Sequence, residues 1–155
     1  MTYRIEGLCP TDYAGLFGLS DDALAARGAI RVTADSKPGF PCRITLEDAE
    51  PGETLLLVNH VSQDAATPYR ASHAIFVREG AREPARYVDE TPPVFAGRTL
   101  SLRGFDADGM MQGALLAGPG EADATIRALL EQPEIVSIHA HNATRGCFAA
   151  RIERN

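Results

Sequence analysis

The sequence predicts an α+β fold in which an antiparallel sheet or sandwich has a few short helices packed against it. Three observations favour this class. Turn-forming residues divide the chain of 155 residues into short segments, most of these segments are rich in aliphatic and β-branched residues, and one later segment has a helical apolar stripe. The chain is 45% hydrophobic, which suits one core, so we expect a single domain over residues 1–155.

The first third of the chain predicts two strands with short helices between them. "TYRIEGL" begins as a strand, Pro10 opens a short helix through Leu16 and Phe17, and Ser20 caps a second helix closed by Gly28. "AIRVTA" is again typical of a strand. "SKPGFPC" should be irregular because its prolines remove backbone donors, and we expect the next strand to begin near Arg43.

The middle of the chain predicts further strands and the longest helix. In "TLLLVNHV" both alternating sets are apolar, which indicates a central strand, and "SHAIFVRE" is a second apolar strand. The charged stretch up to Pro92 and Pro93 should be a loop. "RTLSLRGFDADGMMQGALLAG" predicts a hairpin that turns at Gly109, and "EADATIRALLEQ" predicts a helix over Glu121 to Gln132.

The stretch "SIHAHNATRGCF" predicts the last hairpin. If Asn142 to Gly146 form the loop and His141 faces Cys147, one face of the hairpin becomes wholly apolar. That face would carry Ile138, Ala140, Phe148 and Ile152. The opposite face would carry His139, His141 and Cys147, in contact either with solvent or with a second layer.

This cluster leaves three interpretations open. Alternate strand positions aim His139 and His141 the same way, and together with Cys147 they offer ligands that zinc accepts, although no fourth ligand stands at a recognisable spacing. Alternatively, Cys147 is a nucleophile with His141 as its base. The third interpretation is structural: both histidines are partly exposed strand residues beside a buried thiol. We expect no bound metal and no cofactor.

Arg43 is a candidate for anion binding. A semi-buried guanidinium needs a carboxylate, carbonyl groups or a bound anion, so Arg43 either forms an internal contact or binds a ligand. Tyr69 either anchors a loop or lines a pocket. His73 shares a strand face with Ile75. We interpret His73, like His60, as a hydrogen-bonded residue in the core or at its edge.

Composition argues against several classes of function. The formal charge is -6 with the basic residues spread along the chain, so we expect no nucleic-acid partner. No apolar run is long enough to span a membrane, and no leader pattern is present, so we expect no membrane partner. The three cysteines are far apart, which predicts no disulfide and a cytoplasmic location.

From Gly39 onward, four short elements occur in order: PCR at 41–43, PGE at 51–53, PY at 68–69 and N-A-x-x-G-C at 142–147. With the stretches around them they resemble a family of small bacterial proteins called domain of unknown function 1203. In that family pattern a second cysteine follows PCR by two residues, where this chain has Thr45, and an arginine stands where it has His141. The resemblance implies a bacterial cytoplasmic protein and no particular reaction.

Two classes of function follow from the sequence. The first is a non-catalytic binding or interaction module for a small anionic ligand. Its candidate binding residues are Arg43, Tyr69, His73, His139, His141 and Cys147. The second is a metal-dependent or thiol-based enzyme centred on His139, His141 and Cys147. We favour the first because no complete catalytic constellation can be assembled. A homodimer is possible in either case.

Overall fold

A computed structural model describes residues 1–155 and contains nine strands and two α-helices. The strands are β1 (Tyr3–Glu6), β2 (Ile30–Thr33), β3 (Thr54–Gln63), β4 (Ala71–Arg78), β5 (Arg86–Val88), β6 (Leu100–Phe105), β7 (Met111–Ala117), β8 (Ser137–Asn142) and β9 (Phe148–Arg154). The α-helices are α1 (Asp21–Ala25) and α2 (Ala122–Leu130). Short 3-10 helices cover Pro10–Asp12, Ala14–Leu16 and Pro93–Phe95.

The strands form two antiparallel sheets. The six-stranded sheet has the order β5-β1-β9-β8-β6-β7, and the three-stranded sheet has the order β2-β3-β4. Every strand pair within them is antiparallel. The predicted α+β class is therefore confirmed. The strand "TLLLVNHV" is the middle strand of its sheet, as its two apolar faces predicted.

Two large apolar cores organise these elements into layers, and a third, small cluster of Ala34, Ala49 and Leu55 packs against Phe40 and Phe76. Helix α2 covers one face of the six-stranded sheet, where Ile126, Leu129 and Leu130 join residues such as Ile138 and Ile152 in the larger core. The opposite face of that sheet meets the three-stranded sheet. There a second core contains Leu56, Val58, Ile75 and Val77 from the small sheet together with Phe148 from β9 and Leu24 from α1.

The signals for the N-terminal helices are confirmed. The Ser20 hydroxyl accepts a hydrogen bond from the amide of Ala23 at 3.1 Å, which caps α1. Gly28 follows the helix with a φ of 70°, a conformation that side chains disfavour. Pro10 opens a 3-10 helix rather than an α-helix. The first helical region ends at Leu16, one residue before the predicted end at Phe17, and consists of two short turns.

The hairpin of β6 and β7 forms as predicted. Leu100 pairs with Ala117 at its open end, and the turn closes where the amide of Gly109 donates to the carbonyl of Asp106 at 3.1 Å. Gly109 has a φ of 82°, which explains the glycine in "DADG". Helix α2 follows, slightly shorter at both ends than the predicted span.

The predicted register of the β8–β9 hairpin is wrong. Ile138 faces Ile152 and Ala140 faces Ala150, and a bulge between Ala140 and His141 then brings His141 opposite Phe148. Since a bulge changes the alternation of faces by one residue, Phe148 points into the second core while its expected neighbours stay in the first. The apolar face of Ile138, Ala140 and Ile152 is confirmed, and Phe148 does not belong to it.

Two further predictions about strands need correction. No strand begins near Arg43: Pro41 and Cys42 form isolated bridges, and Arg43 starts a turn. In that turn the amide of Leu46 donates to the carbonyl of Cys42, and Leu46 has a φ of 54°. The expected loop before Pro92 contains the short strand β5, which pairs with β1.

The two edges of the six-stranded sheet differ. Strand β5 at one edge has three residues and includes Arg86. Strand β7 at the other edge has seven residues and no charged side chain, and Leu115 and Leu116 are exposed. No helix of the protein is long and apolar enough to cross a membrane.

Candidate functional site

Arg43 lies at the junction between the two sheets. Its amide donates to the carbonyl of Phe76 on β4 at 3.0 Å, so the main chain is fixed to the small sheet. Its guanidinium is bonded to the other sheet: Nε donates to the carbonyl of Phe148 at 2.8 Å, and Nη2 donates to Sγ of Cys147 at 3.2 Å. Nη1 donates to the carbonyl of Pro41 at 2.7 Å. The predicted contact of Arg43 with internal carbonyl groups is thus present.

The turn that carries Arg43 is fixed by local bonds. Sγ of Cys42 accepts from the amides of Ile44 and Thr45, both at 3.4 Å, which holds the turn from inside. The carbonyl of Arg43 accepts from the amide of Leu8 at 2.8 Å, so the chain after β1 crosses over the turn. Arg43 is consequently held by its backbone as well as by its side chain.

The charge of Arg43 has no carboxylate partner. The side chain is 3% exposed, and its acceptors are two carbonyls and a thiol. Burial lowers the pKa of Arg43 below its ordinary value, yet arginine keeps its proton in proteins. A guanidinium has five N–H donors, so Nη1 and Nη2 each keep one hydrogen for a further acceptor. Buried charges are normally paired, which makes an anion beside Arg43 physically favourable.

A cavity of about 680 Å³ lies beside Arg43. Its wall comes from Leu57 on β3 and from four stretches far apart in sequence: residues 39–43, the outer edge of β4 near 73–76, the loop at 97–99 and the β8–β9 turn at 142–147. The third and fourth stretches are joined where the amide of Ala143 donates to the carbonyl of Thr99 at 3.0 Å. The volume is in the usual range of small-molecule sites.

The charged residues of the cavity wall are all cationic. They are Arg43, Arg98 and Arg145, and the wall includes no aspartate or glutamate. Arg98 forms a two-point ion pair with Asp48, at 2.7 and 2.8 Å. Burial would raise the pKa of Asp48, but the Arg98 bonds and the Gly39 amide outweigh it and lower that pKa. Arg145 is exposed and forms no ion pair, so its charge is uncompensated.

Two buried polar atoms of the wall residues have no hydrogen-bond partner. They are Nε2 of His73 and Oδ1 of Asn142. Buried polar atoms are nearly always paired in folded proteins. Burial lowers the pKa of His73, so the neutral ring and the Asn142 amide are groups that could hydrogen-bond to a ligand or to water in the cavity.

His139 and His141 are buried between the sheets, not partly exposed. They are 1% and 2% exposed because the small sheet covers this face of the hairpin. The ring centroids of His139 and Phe105 are 4.6 Å apart, and those of His141 and His73 are 4.9 Å apart. Burial lowers the pKa of His139 to about 3 and that of His141 to about 4, so both rings are neutral at neutral pH.

The three residues of the proposed metal or thiol centre do not form one site. Nδ1 of His141 donates to the carbonyl of Gly146 at 2.9 Å, and no hydrogen bond joins His141 to Cys147. Sγ of Cys147 instead accepts from Arg43 and, at 3.5 Å, from Nδ2 of Asn142. No group of three or more histidine, cysteine, aspartate or glutamate side chains is placed to hold a metal ion.

The remaining candidates lie at different places. Tyr69 is 38% exposed, packs edge-on against Phe105 at 6.2 Å, and does not line the cavity. The His60 ring is bonded through Nδ1 to the hydroxyl of Tyr13 at 3.0 Å, as expected for a residue at the edge of the core. His73 lines the cavity but lacks the expected partner at Nε2.

Sequence reasoning missed Arg98, Thr144 and Arg145 as cavity residues. Arg145 stands within "NATRGC", and a cationic residue in the tip of a hairpin next to a candidate thiol was the available signal. Arg98 gives no such signal, because its position depends on the buried partner Asp48, which is far away in sequence.

A comparison with known protein families assigns the chain to a family. Residues 39–154 match the family described as "Protein of unknown function (DUF1203)". The chain belongs to this family. Comparisons with curated proteins and with solved structures found no match.

Two of the elements that carry the resemblance to DUF1203 meet at the cavity. Pro41 and Arg43 come from PCR, and Asn142 and Cys147 come from N-A-x-x-G-C. The hydrogen bond from Arg43 to Cys147 joins the two elements, which lie near opposite ends of the matched residues. Two of the four elements therefore line the cavity, whereas PGE at 51–53 and PY at 68–69 do not.

Proposed function

We propose that this protein is a non-catalytic module that binds a small anionic ligand in the cavity beside Arg43. The observation that carries the proposal is the charge of the wall, which has three arginines and no acidic residue. The formal charge of the whole chain is -6, so this local group of cations is opposite in sign to the net charge of the protein. A concave cationic surface concentrates anions and speeds their association.

The three arginines contribute in different ways. Arg43 is fixed by three acceptors and keeps two N–H donors, so it is preorganised for an anion and loses little freedom on binding. Arg145 is exposed and without an ion pair, so it is available to close on a ligand. The charge of Arg98 is largely balanced by Asp48, which leaves Arg98 mainly to shape the wall.

The alternative of a metal-dependent or thiol-based enzyme has weaker support. The thiol of Cys147 lacks a histidine within hydrogen-bond distance, and the histidine pair is turned into the space between the sheets. We therefore propose binding rather than catalysis. A bacterial cytoplasmic setting, implied by the family resemblance, and the absence of nucleic-acid and membrane partners remain part of this proposal.

Calorimetric titration with inorganic phosphate and with acetate tests the proposal. We expect Arg145→Ala to weaken binding by roughly two- to fivefold, the effect of removing one exposed charge. Arg82→Ala is the matched control, because Arg82 is also exposed, forms no ion pair and does not line the cavity. Equal affinity in the two variants, or no binding of either probe to the wild type, would contradict the proposal.

Arg43→Met provides a second and stronger test. Methionine keeps much of the apolar length of the side chain but removes the charge and all five donors. We expect phosphate binding to disappear while circular dichroism shows that the strands are retained. If Arg43→Met does not fold, the comparison of Arg145→Ala with Arg82→Ala still decides the question.

A further inference from the structure

The cavity also has an apolar side. Leu57, Ala74 and Phe76 line it together with the arginines. Leu57 on β3 is paired directly with Phe76 on β4, and Ala74 is two residues from Phe76. Since strand residues two apart point to the same face, these three side chains form one continuous surface. The Phe76 ring is fixed against Phe40, with the ring centroids 5.3 Å apart.

This surface is not needed to hold the two sheets together. The opposite face of the same strands, with Leu56 and Val77, contributes to the core between the sheets. Leu57 and Phe76 are only half-buried, and Ala74 is exposed. An inorganic anion beside Arg43 would leave this apolar surface against water, at a cost proportional to its area.

The two sides of the cavity together define a class of ligand. We propose that the ligand is an amphipathic organic anion, a carboxylate or phosphate ester with an apolar part. Its charged group lies at Arg43 and Arg145, and its apolar part lies on Leu57, Ala74 and Phe76. This inference rests on the proposed function, because it takes the anion site as given. A cavity of about 680 Å³ has room for such a molecule.

A series of straight-chain carboxylates tests the inference. We expect the affinity of the wild type to rise from acetate through butyrate to hexanoate by about two- to fourfold for each methylene that is buried. Hexanol has the same chain without the charge, and we expect it to bind far more weakly than hexanoate. Calorimetric titration at constant ionic strength measures both, because anion affinity also depends on salt.

A pair of variants on β4 locates the apolar contact. Ala74→Gln places a polar side chain on the apolar surface without changing the charge. Ser72→Gln is the matched control, because Ser72 is exposed on the same face of the same strand and does not line the cavity. We expect Ala74→Gln to reduce the gain in affinity from acetate to hexanoate at least threefold. Ser72→Gln should keep the gain of the wild type.

The possible failures are distinguishable. If phosphate and acetate bind with the expected dependence on Arg145 but lengthening the chain adds no affinity, the inference is wrong and the proposed function stands. If hexanoate gains affinity equally in Ala74→Gln and the wild type, the apolar part lies elsewhere and the inference is again wrong. If neither phosphate nor any carboxylate binds, both fall.

Discussion

At the scale of single residues, Arg43 combines structural and chemical roles. Its sequence context, PCR before a presumed strand, predicted a semi-buried guanidinium, and the contact with carbonyl groups is observed. The sequence could not predict that Cys147 would be its third partner, because that contact spans most of the chain. The thiol and the guanidinium now share one cavity, so the thiol can report on what happens there.

The three free cysteines should react with iodoacetamide at different rates. Cys9 is exposed, Cys147 is intermediate and Cys42 is buried, so we expect modification in that order, with Cys42 reacting only on unfolding. Phosphate in the cavity should slow Cys147 and leave Cys9 unchanged. Mass spectrometry of the digested protein measures each site, and Cys9 serves as the internal control. Equal slowing at both sites would show that phosphate acts on the reagent and not on the cavity.

At the scale of elements, the sequence predicted the β8–β9 hairpin but not its bulge. Three successive residues, Phe148, Ala149 and Ala150, are apolar. The alternating pattern therefore does not show at which residue the strand switches the face to which its side chains point. The bulge puts Phe148 among the histidines and Ala149 in the larger core. The turn at Arg43 was missed for a related reason: besides its local bonds to Cys42, it is held by bonds to Leu8 and Phe76, which no local pattern contains.

Gly7 should be needed for stability where the chain after β1 crosses the Arg43 turn. A Cβ atom on Gly7 would overlap the backbone carbonyl of Ile44, which cannot move aside as a flexible side chain would. We expect Gly7→Ala to lower the free energy of unfolding by about 1–3 kcal/mol or more. Gly15→Ala is the control, because its nearest neighbour would be the end of the Arg27 side chain at 3.9 Å. Urea denaturation compares the two, and similar losses would refute the crossing as the cause.

At the scale of the whole molecule, the sequence predicted the class, most strands and both α-helices, but not how the layers pack. Periodicity shows which face of a strand is apolar, and it does not show what covers the polar face. The sequence therefore left open whether His139 and His141 face solvent or a second layer, and in the structure the small sheet covers them. The cavity could not be predicted for the same reason, since its wall is made by stretches from both sheets.

Burial of the histidines makes stability depend on pH. The pKa of His139 is about 3 and that of His141 about 4, against an ordinary 6.5 in the unfolded chain. At pH values between the folded and unfolded pKa, the unfolded chain binds more protons than the folded protein. The stabilisation from the neutral rings is therefore fully present above pH 6.5 and is lost as the pH falls towards 4. Each histidine can remove at most about 1.4 kcal/mol per pH unit in this window.

Replacing both His139 and His141 by glutamine should make stability depend less on pH. We expect the free energy of unfolding of the wild type to fall more between about pH 7 and about pH 5 than that of the His139→Gln, His141→Gln double variant. The comparison uses the difference between the two pH values, because the lost ring contacts lower the stability of the variant at any pH. An equal fall in both proteins would mean that other groups cause the acid sensitivity.

The unequal edges of the six-stranded sheet bear on how copies of the chain could meet. The exposed N–H and C=O groups of β7 form an uncharged template for strand addition, whereas β5 is too short and carries Arg86. Because β7 is the only long, uncharged edge of this sheet, two β7 strands that pair around a twofold axis leave no such edge of the six-stranded sheet free in either copy. Pairing through this sheet would therefore stop at two copies. The homodimer considered from the sequence remains a prediction, and β7 is the edge through which it would form.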